Sequence, residues 1–132
     1  MELLLSLHGY TDWGLLALRL AVASIFFAHG TSKFGAWKQP GKGMNGVMRL
    51  LSICEPLGGI AILLGLLTQP AAIGLSFVML GAIYLKSQKW NLPFSSDEKN
   101  AWEFDALVLA SCILLLFAGA GAFSLDRVLL GL

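Results

Sequence analysis

Phe26-Phe27-Ala28-His29-Gly30-Thr31-Ser32-Lys33 closes the first long apolar run of the chain and decides how the rest is read. An imidazole and an ammonium stand four positions apart there, on one helical face, where a greasy segment is about to end. Ionisable groups at membrane depth are costly and face a bundle interior or a watery cavity. The surrounding composition settles whether this stretch lies at such a depth.

The chain has 132 residues, 57% of them hydrophobic and 13% charged, with a mean hydropathy of +0.76. An average soluble domain is about 45–50% apolar and about 25% charged. The balance is that of an integral membrane protein, and the length suits one domain over residues 1–132. A net charge of +1 gives no sign of a nucleic-acid partner. Two cysteines outside any CxxC pattern give no zinc or dithiol signal. The start lacks a basic region and a small-residue cleavage site, so no cleaved signal peptide is expected.

A spanning helix needs about 20 largely apolar residues. Four stretches qualify, at about 12–34, 49–68, 70–86 and 101–119, and the expected fold is an all-α membrane protein, a four-transmembrane-helix bundle. Residues 1–10 are too short to span; they lie at the surface or extend the first helix. Residues 35–48 and 87–100 read as loops, and Thr68-Gln69-Pro70 as a tight hairpin. Trp13, Trp37, Trp90 and Trp102 all fall at expected helix ends, where interfacial tryptophans belong. Lys33, Lys38, Lys42, Arg49, Lys86, Lys89 and Lys99 lie on the side of the two longer loops, against Arg127 on the other. The positive-inside rule makes that cation-rich side cytoplasmic.

Polar residues gather at the same end. On a wheel of 100° per residue, Arg19, His29 and Lys33 fall within about 80°. Arg19 lies about 21 Å from Lys33 along the axis and is expected to snorkel to the opposite surface, toward Asp126. Helix two brings Glu55, with Gly58, Gly59 and Gly65 on its side, so this face is expected against a neighbour. His29 and Lys33 are at a depth to partner the carboxylate. Helix three leaves with Tyr84 and Lys86. Helix four enters with Glu103 and Asp105, about 200° apart; Glu103 is expected to point inward, because Ala106 and Ala110 share its side. Two readings stand. One is a salt-bridge network that fixes helix register. The other is a pocket for a polar head group with an apolar tail, such as a quinone, with His29 as proton partner tuned by a carboxylate. Cys54 and Cys112 differ in depth by about 9 Å, beyond what a disulfide spans, and are expected as free thiols. His8 and His29 belong to opposite sides, and no metal site is expected.

At these residues the chain resembles the DoxX family of small four-helix membrane proteins. The resemblance covers nearly the whole length: FFAHGTSKF (26–34), EPLGGIAILLGLLTQPAA (55–72), VMLGAIYLK (78–86), the helix-four acid in AWEFDALVL (101–109) and GAGAFSLD (119–126). Each motif is weak alone; their joint order and spacing carry the likeness. Family members often have a histidine at the end of helix three, where Lys86 stands nearby here, so a role needing a second imidazole is not implied. The resemblance implies a multi-pass protein of the bacterial cytoplasmic membrane linked to redox metabolism. Relatives include the membrane subunit of a thiosulfate:quinone oxidoreductase and partners of soluble redox and sulfur-transfer proteins. The bundle is also similar to the vitamin K epoxide reductase type, whose dithiol chemistry the missing CxxC pair argues against.

The expected function is therefore a quinone-linked redox component, a membrane subunit or accessory of an oxidoreductase. His29 would exchange a proton or hydrogen-bond a quinone oxygen, and Lys33 would stabilise a developing oxyanion. Glu55 and Glu103 would set their protonation, while Tyr84, Lys86 and Phe26 would line the ligand. No covalent cofactor is expected; electrons would come from a soluble redox partner, and homo-oligomers are compatible. The alternatives are a non-enzymatic scaffold or chaperone recruiting a partner through loop 35–48, and a small transporter acting as an oligomer.

Overall fold

A computed structural model describes residues 1–32, 46–97 and 101–131, with the side chains of residues 47 and 48 left aside. In chain order the helices are α1 (Glu2–Ser6), α2 (Thr11–Ser32), α3 (Gly46–Leu64), α4 (Thr68–Tyr84), α5 (Glu103–Ala118) and α6 (Leu125–Leu130). A 3-10 turn, Leu7–Tyr10, joins α1 to α2, so residues 1–10 extend the first helix. A π-helical turn, Leu85–Lys89, continues α4. The four long helices alternate in direction and form a ring: α2 packs on α3, α3 on α4, α4 on α5, and α5 more lightly on α2.

Each long helix buries one narrow stripe. On α2 it is Leu15, Arg19, Val22, Ala23, Phe26 and Gly30; on α5 it is Asp105, Val108, Cys112 and Leu115. These meet Ile62 of α3 and Ala72, Leu75 and Met79 of α4 in one core. The opposite faces stay apolar and exposed, as at Leu57, Phe77, Leu107 and Phe117. Hydrocarbon, not water, is the solvent such a surface suits. Among the described residues, Glu2–Ser32 and Thr68–Lys89 are long and apolar enough to cross a membrane. The 22 residues of α2 alone span about 33 Å, against a hydrocarbon core of about 30 Å.

Helix ends differ from expectation for local reasons. The second helix stops at Leu64 instead of residue 68, because Gly65 turns left-handed (φ +67). Its N–H bonds to the Ile62 carbonyl and that of Leu66 to Ala61, the paired closure of a Schellman end. A Cβ on Gly65 would also strike Ser124. The third helix starts early, at Thr68, which keeps Pro70 in the first turn, where its missing N–H has no intrahelical role. The helix runs unbroken through Pro56 of α3, and Gly30 supplies the space for that ring, since a Cβ there would collide with it.

Arg19 does not snorkel. It is 1% exposed and donates inward to four backbone carbonyls: Nε to Ile62 (2.8 Å), Nη2 to Leu63 (2.6 Å), and Nη1 to Ala120 (3.2 Å) and Phe123 (2.6 Å). Two belong to the last turn of α3, the negative end of its dipole; two belong to the bend between α5 and α6. Asp126 lies close enough to interact electrostatically with Arg19. Its carboxylate accepts the N–H groups of Leu67 (2.6 Å) and Thr68 (2.9 Å), capping α4 from outside because Leu67 has no side-chain oxygen to do so. The Asp126 N–H in turn reaches the Gly65 carbonyl at 2.7 Å.

Lysine in place of arginine keeps the charge but cannot reach four carbonyls at once. We expect Arg19→Lys to lower stability by about 3 kcal/mol or more, the loss of at least two charge-assisted bonds. Denaturation of the purified protein in mild detergent measures this; an unchanged midpoint would refute the role given to Arg19.

Candidate functional site

Polar side chains collect at the end of the bundle where α2 stops and α3 begins, and they fall into a sealed part and an open part. The sealed part starts on α3, where Ser52, Glu55, Pro56, Gly59 and Ile62 form the buried stripe. Glu55 is 1% exposed. Ser52 Oγ donates to the Arg49 carbonyl at 2.7 Å.

Across the ring, Lys86 Nζ donates to Asp105 Oδ2 at 2.7 Å, with the side chains 30% and 4% exposed. The π turn after α4 holds Lys86, and its carbonyl is tied by the Leu92 N–H at 2.8 Å. This corrects the expected inward acid of the fourth helix. Asp105 points in and Glu103 lies exposed. The decisive feature is the apolar spacing: Asp105 starts the stripe completed by Val108, Cys112 and Leu115, at i+3, i+7 and i+10. The small residues Ala106 and Ala110 lie to one side of it.

The open part is a seam between α2 and α5. The His29 ring centroid is 5.9 Å from that of Phe104, with the planes tilted by 48°, and both residues are exposed at their edges. His29 sits about 60° around the wheel from Phe26, at the margin of the buried stripe. That separates it from Arg19, which shares the stripe and is sealed. An imidazole placed this way keeps a ring nitrogen available to a molecule arriving sideways through the bilayer.

Two other expected ligand contacts are relocated. Phe26 is 0% exposed and belongs to the hydrophobic core, so it cannot line a ligand. Tyr84 is 63% exposed and turns outward, one residue before the π turn redirects the chain. Lys33, Trp37 and most of loop 35–48 lie outside the described residues, and the last part of that loop opens α3. Cys54 and Cys112 are free thiols, one exposed and one buried. Among the described residues, no three His, Cys, Asp or Glu side chains gather as a metal site would require.

A groove of about 250 Å³ opens between α2 and α3, lined by Ala23, Ser24, Phe27 and Gly59. Phe27 is about 200° around α2 from His29, so this groove is separate from the seam.

The DoxX family profile matches residues 14–88. Over 129 residues the chain is 34% identical to an uncharacterised protein of Haemophilus influenzae, covering 92% of this chain and 95% of the other. It is 29% identical over 126 residues to CatD, a proposed oxidoreductase of Bacillus subtilis, covering 86% of this chain and 84% of that one. It is 29% identical over 134 residues to the inner membrane protein YphA of Escherichia coli, covering 89% and 96%. No solved structure matches the chain.

The unequal burial of the ion pair predicts unequal substitutions. Lys86→Met strands a buried carboxylate and should cost about 3 kcal/mol. Asp105→Asn leaves a lysine that can reach water along its stem, and should cost about 1 kcal/mol. The double variant should lose less than the sum of the two. Equal single effects in detergent unfolding, with strict additivity, would rule out the pairing as the reason for their placement.

Proposed function

We propose that this chain, which belongs to the DoxX family of membrane proteins, is a quinone-linked redox component of the cytoplasmic membrane, a multi-pass subunit or accessory of an oxidoreductase. The observation that carries the reading is the open seam at His29 and Phe104, beside a sealed set of charges. A quinone is a flat ring with two carbonyl acceptors and a long apolar tail. Phe104 offers its ring an aromatic face, and the His29 N–H offers one carbonyl a hydrogen bond. The exposed apolar side of α5 nearest Phe104, with Leu107 and Leu114, would receive the tail.

Reduction of a quinone to a quinol takes two electrons and two protons. Histidine is suited to the proton transfer, because its ordinary titration range lies near neutral pH. The electrons would come from a soluble redox partner at the cation-rich face, which the positive-inside rule makes cytoplasmic. Lys86 and Asp105, paired and largely buried, hold the ends of α4 and α5 together and position Phe104 through its neighbour. Glu55, buried on α3, is the carboxylate that would tune the site from the interior. The oxidoreductase naming of CatD, a full-length relative, favours this reading over a transporter.

The test is binding of a short-chain quinone to the purified protein, with extraction and analysis of co-purified lipids. Wild type should retain quinone. His29→Ala should weaken binding about tenfold, the loss of one good hydrogen bond, with the unfolding midpoint unchanged. Lipid extracts free of quinone, together with equal affinity in His29→Ala, would overturn the proposal.

A further inference from the structure

The end of the bundle opposite His29 holds a surface cavity of about 460 Å³. Four elements meet around it: the start of α2 with Asp12, the start of α4 with Gln69, the bend after α5, and α6 with Asp126 and Arg127. Most polar atoms here are already committed. Both Asp126 oxygens hold backbone N–H groups. Asp12 Oδ1 accepts the Ala122 N–H at 2.9 Å, and Gln69 Nε2 donates to the Leu116 carbonyl at 2.8 Å. Three groups are left over. Asp12 Oδ2 and Gln69 Oε1 receive no donor from the described residues, and the Arg127 guanidinium makes no hydrogen bond or ion pair with them. Asp12 and Arg127 carry opposite charges beside one cavity, yet do not close on each other.

We infer that this cavity binds the head group of a zwitterionic phospholipid bearing a primary ammonium, with the phosphate at Arg127 and the ammonium at Asp12 and Gln69. Arginine presents a fork of N–H donors matched to phosphate oxygens. Two acceptors without donors suit an ammonium that still carries N–H groups; a quaternary ammonium has none to give. The cavity also sits where a lipid head group lies. Trp13, next to Asp12, packs against Phe123 with ring centroids 4.6 Å apart and planes inclined by 54°, and Phe117, next to the lining residue Ala118, is among the most exposed side chains. Aromatic residues flanking a polar site mark the membrane–water interface. The proposal is independent of the quinone reading, since it uses no residue of the His29 seam.

Native mass spectrometry of the full chain in detergent, titrated with phosphatidylethanolamine, phosphatidylcholine and phosphatidylglycerol of matched acyl chains, tests it. Wild type should retain phosphatidylethanolamine about tenfold better than either of the others, one charge-assisted hydrogen bond's worth. Asp12→Asn keeps the Oδ1 acceptor for Ala122 and removes only the charge, so it should abolish the preference over phosphatidylglycerol. Arg127→Gln, at a side chain with no internal partner, should weaken both phosphatidylethanolamine and phosphatidylglycerol. Displacement of the lipid by equimolar soluble phosphoethanolamine supports the site and assigns it to the free compound; no displacement assigns it to the lipid. Equal retention of all three lipids by wild type, an unchanged preference in Asp12→Asn, or unchanged retention of both lipids in Arg127→Gln, overturns the inference.

Discussion

One buried guanidinium organises the end of this bundle. A membrane helix that stops leaves its last carbonyls without partners, and a chain that bends does the same. Here α3 stops and the chain after α5 bends at the same level, and the carbonyls left free at both places need donors. Arg19 answers both from a third helix. Its planar fork reaches Ile62 and Leu63 on one side and Ala120 and Phe123 on the other. The positive charge faces the negative end of the α3 dipole, while Asp126 faces the positive end of α4. The hairpin between these helices, with two left-handed residues at Gly65 and Leu67, is thus held by one cation and one anion, and neither comes from the hairpin itself.

The other end of the bundle uses charge differently. The Lys86–Asp105 pair joins side chain to side chain, and nothing in it spans three elements. Polar groups there are split between a sealed interior, with Glu55 and Asp105, and an open margin at His29. The split follows from one turn of geometry on α2. Residues 19, 26 and 30 point to the centre, and residue 29 points to the seam with α5.

Much of this was legible in the residues. The four apolar runs, the glycine face of α3, the Pro70 start of α4, the bend at Gly119 to Gly121 and the free thiols follow from hydropathy, spacing and turn chemistry, which act over a few residues. The errors have a common source. The small residues Ala106 and Ala110 point to Glu103 as the inward acid, but the apolar stripe at 108, 112 and 115 decides for Asp105. Tyr84, expected as a ligand contact, lies exposed, and its rotation at the end of α4 is not written in the local sequence. Phe26 sits on the same stretch as His29, yet the wheel puts it at the centre of the stripe. Snorkelling is the common behaviour of a lone cation, and Arg19 departs from it because it meets free carbonyls that a sequence does not display.

By itself, then, the sequence determined that the chain is an all-helical membrane bundle, where its helices begin and end to within a few residues, and the family it belongs to. Hydrophobic length and local backbone preference are properties of contiguous residues, so they can be read in order. Only the tertiary structure decided which acid meets Lys86, what Arg19 binds, how Asp126 caps α4 and which polar groups remain open. Those outcomes depend on the rotation of each helix against its neighbours. Packing of all four stripes sets that rotation together, and no one segment contains it.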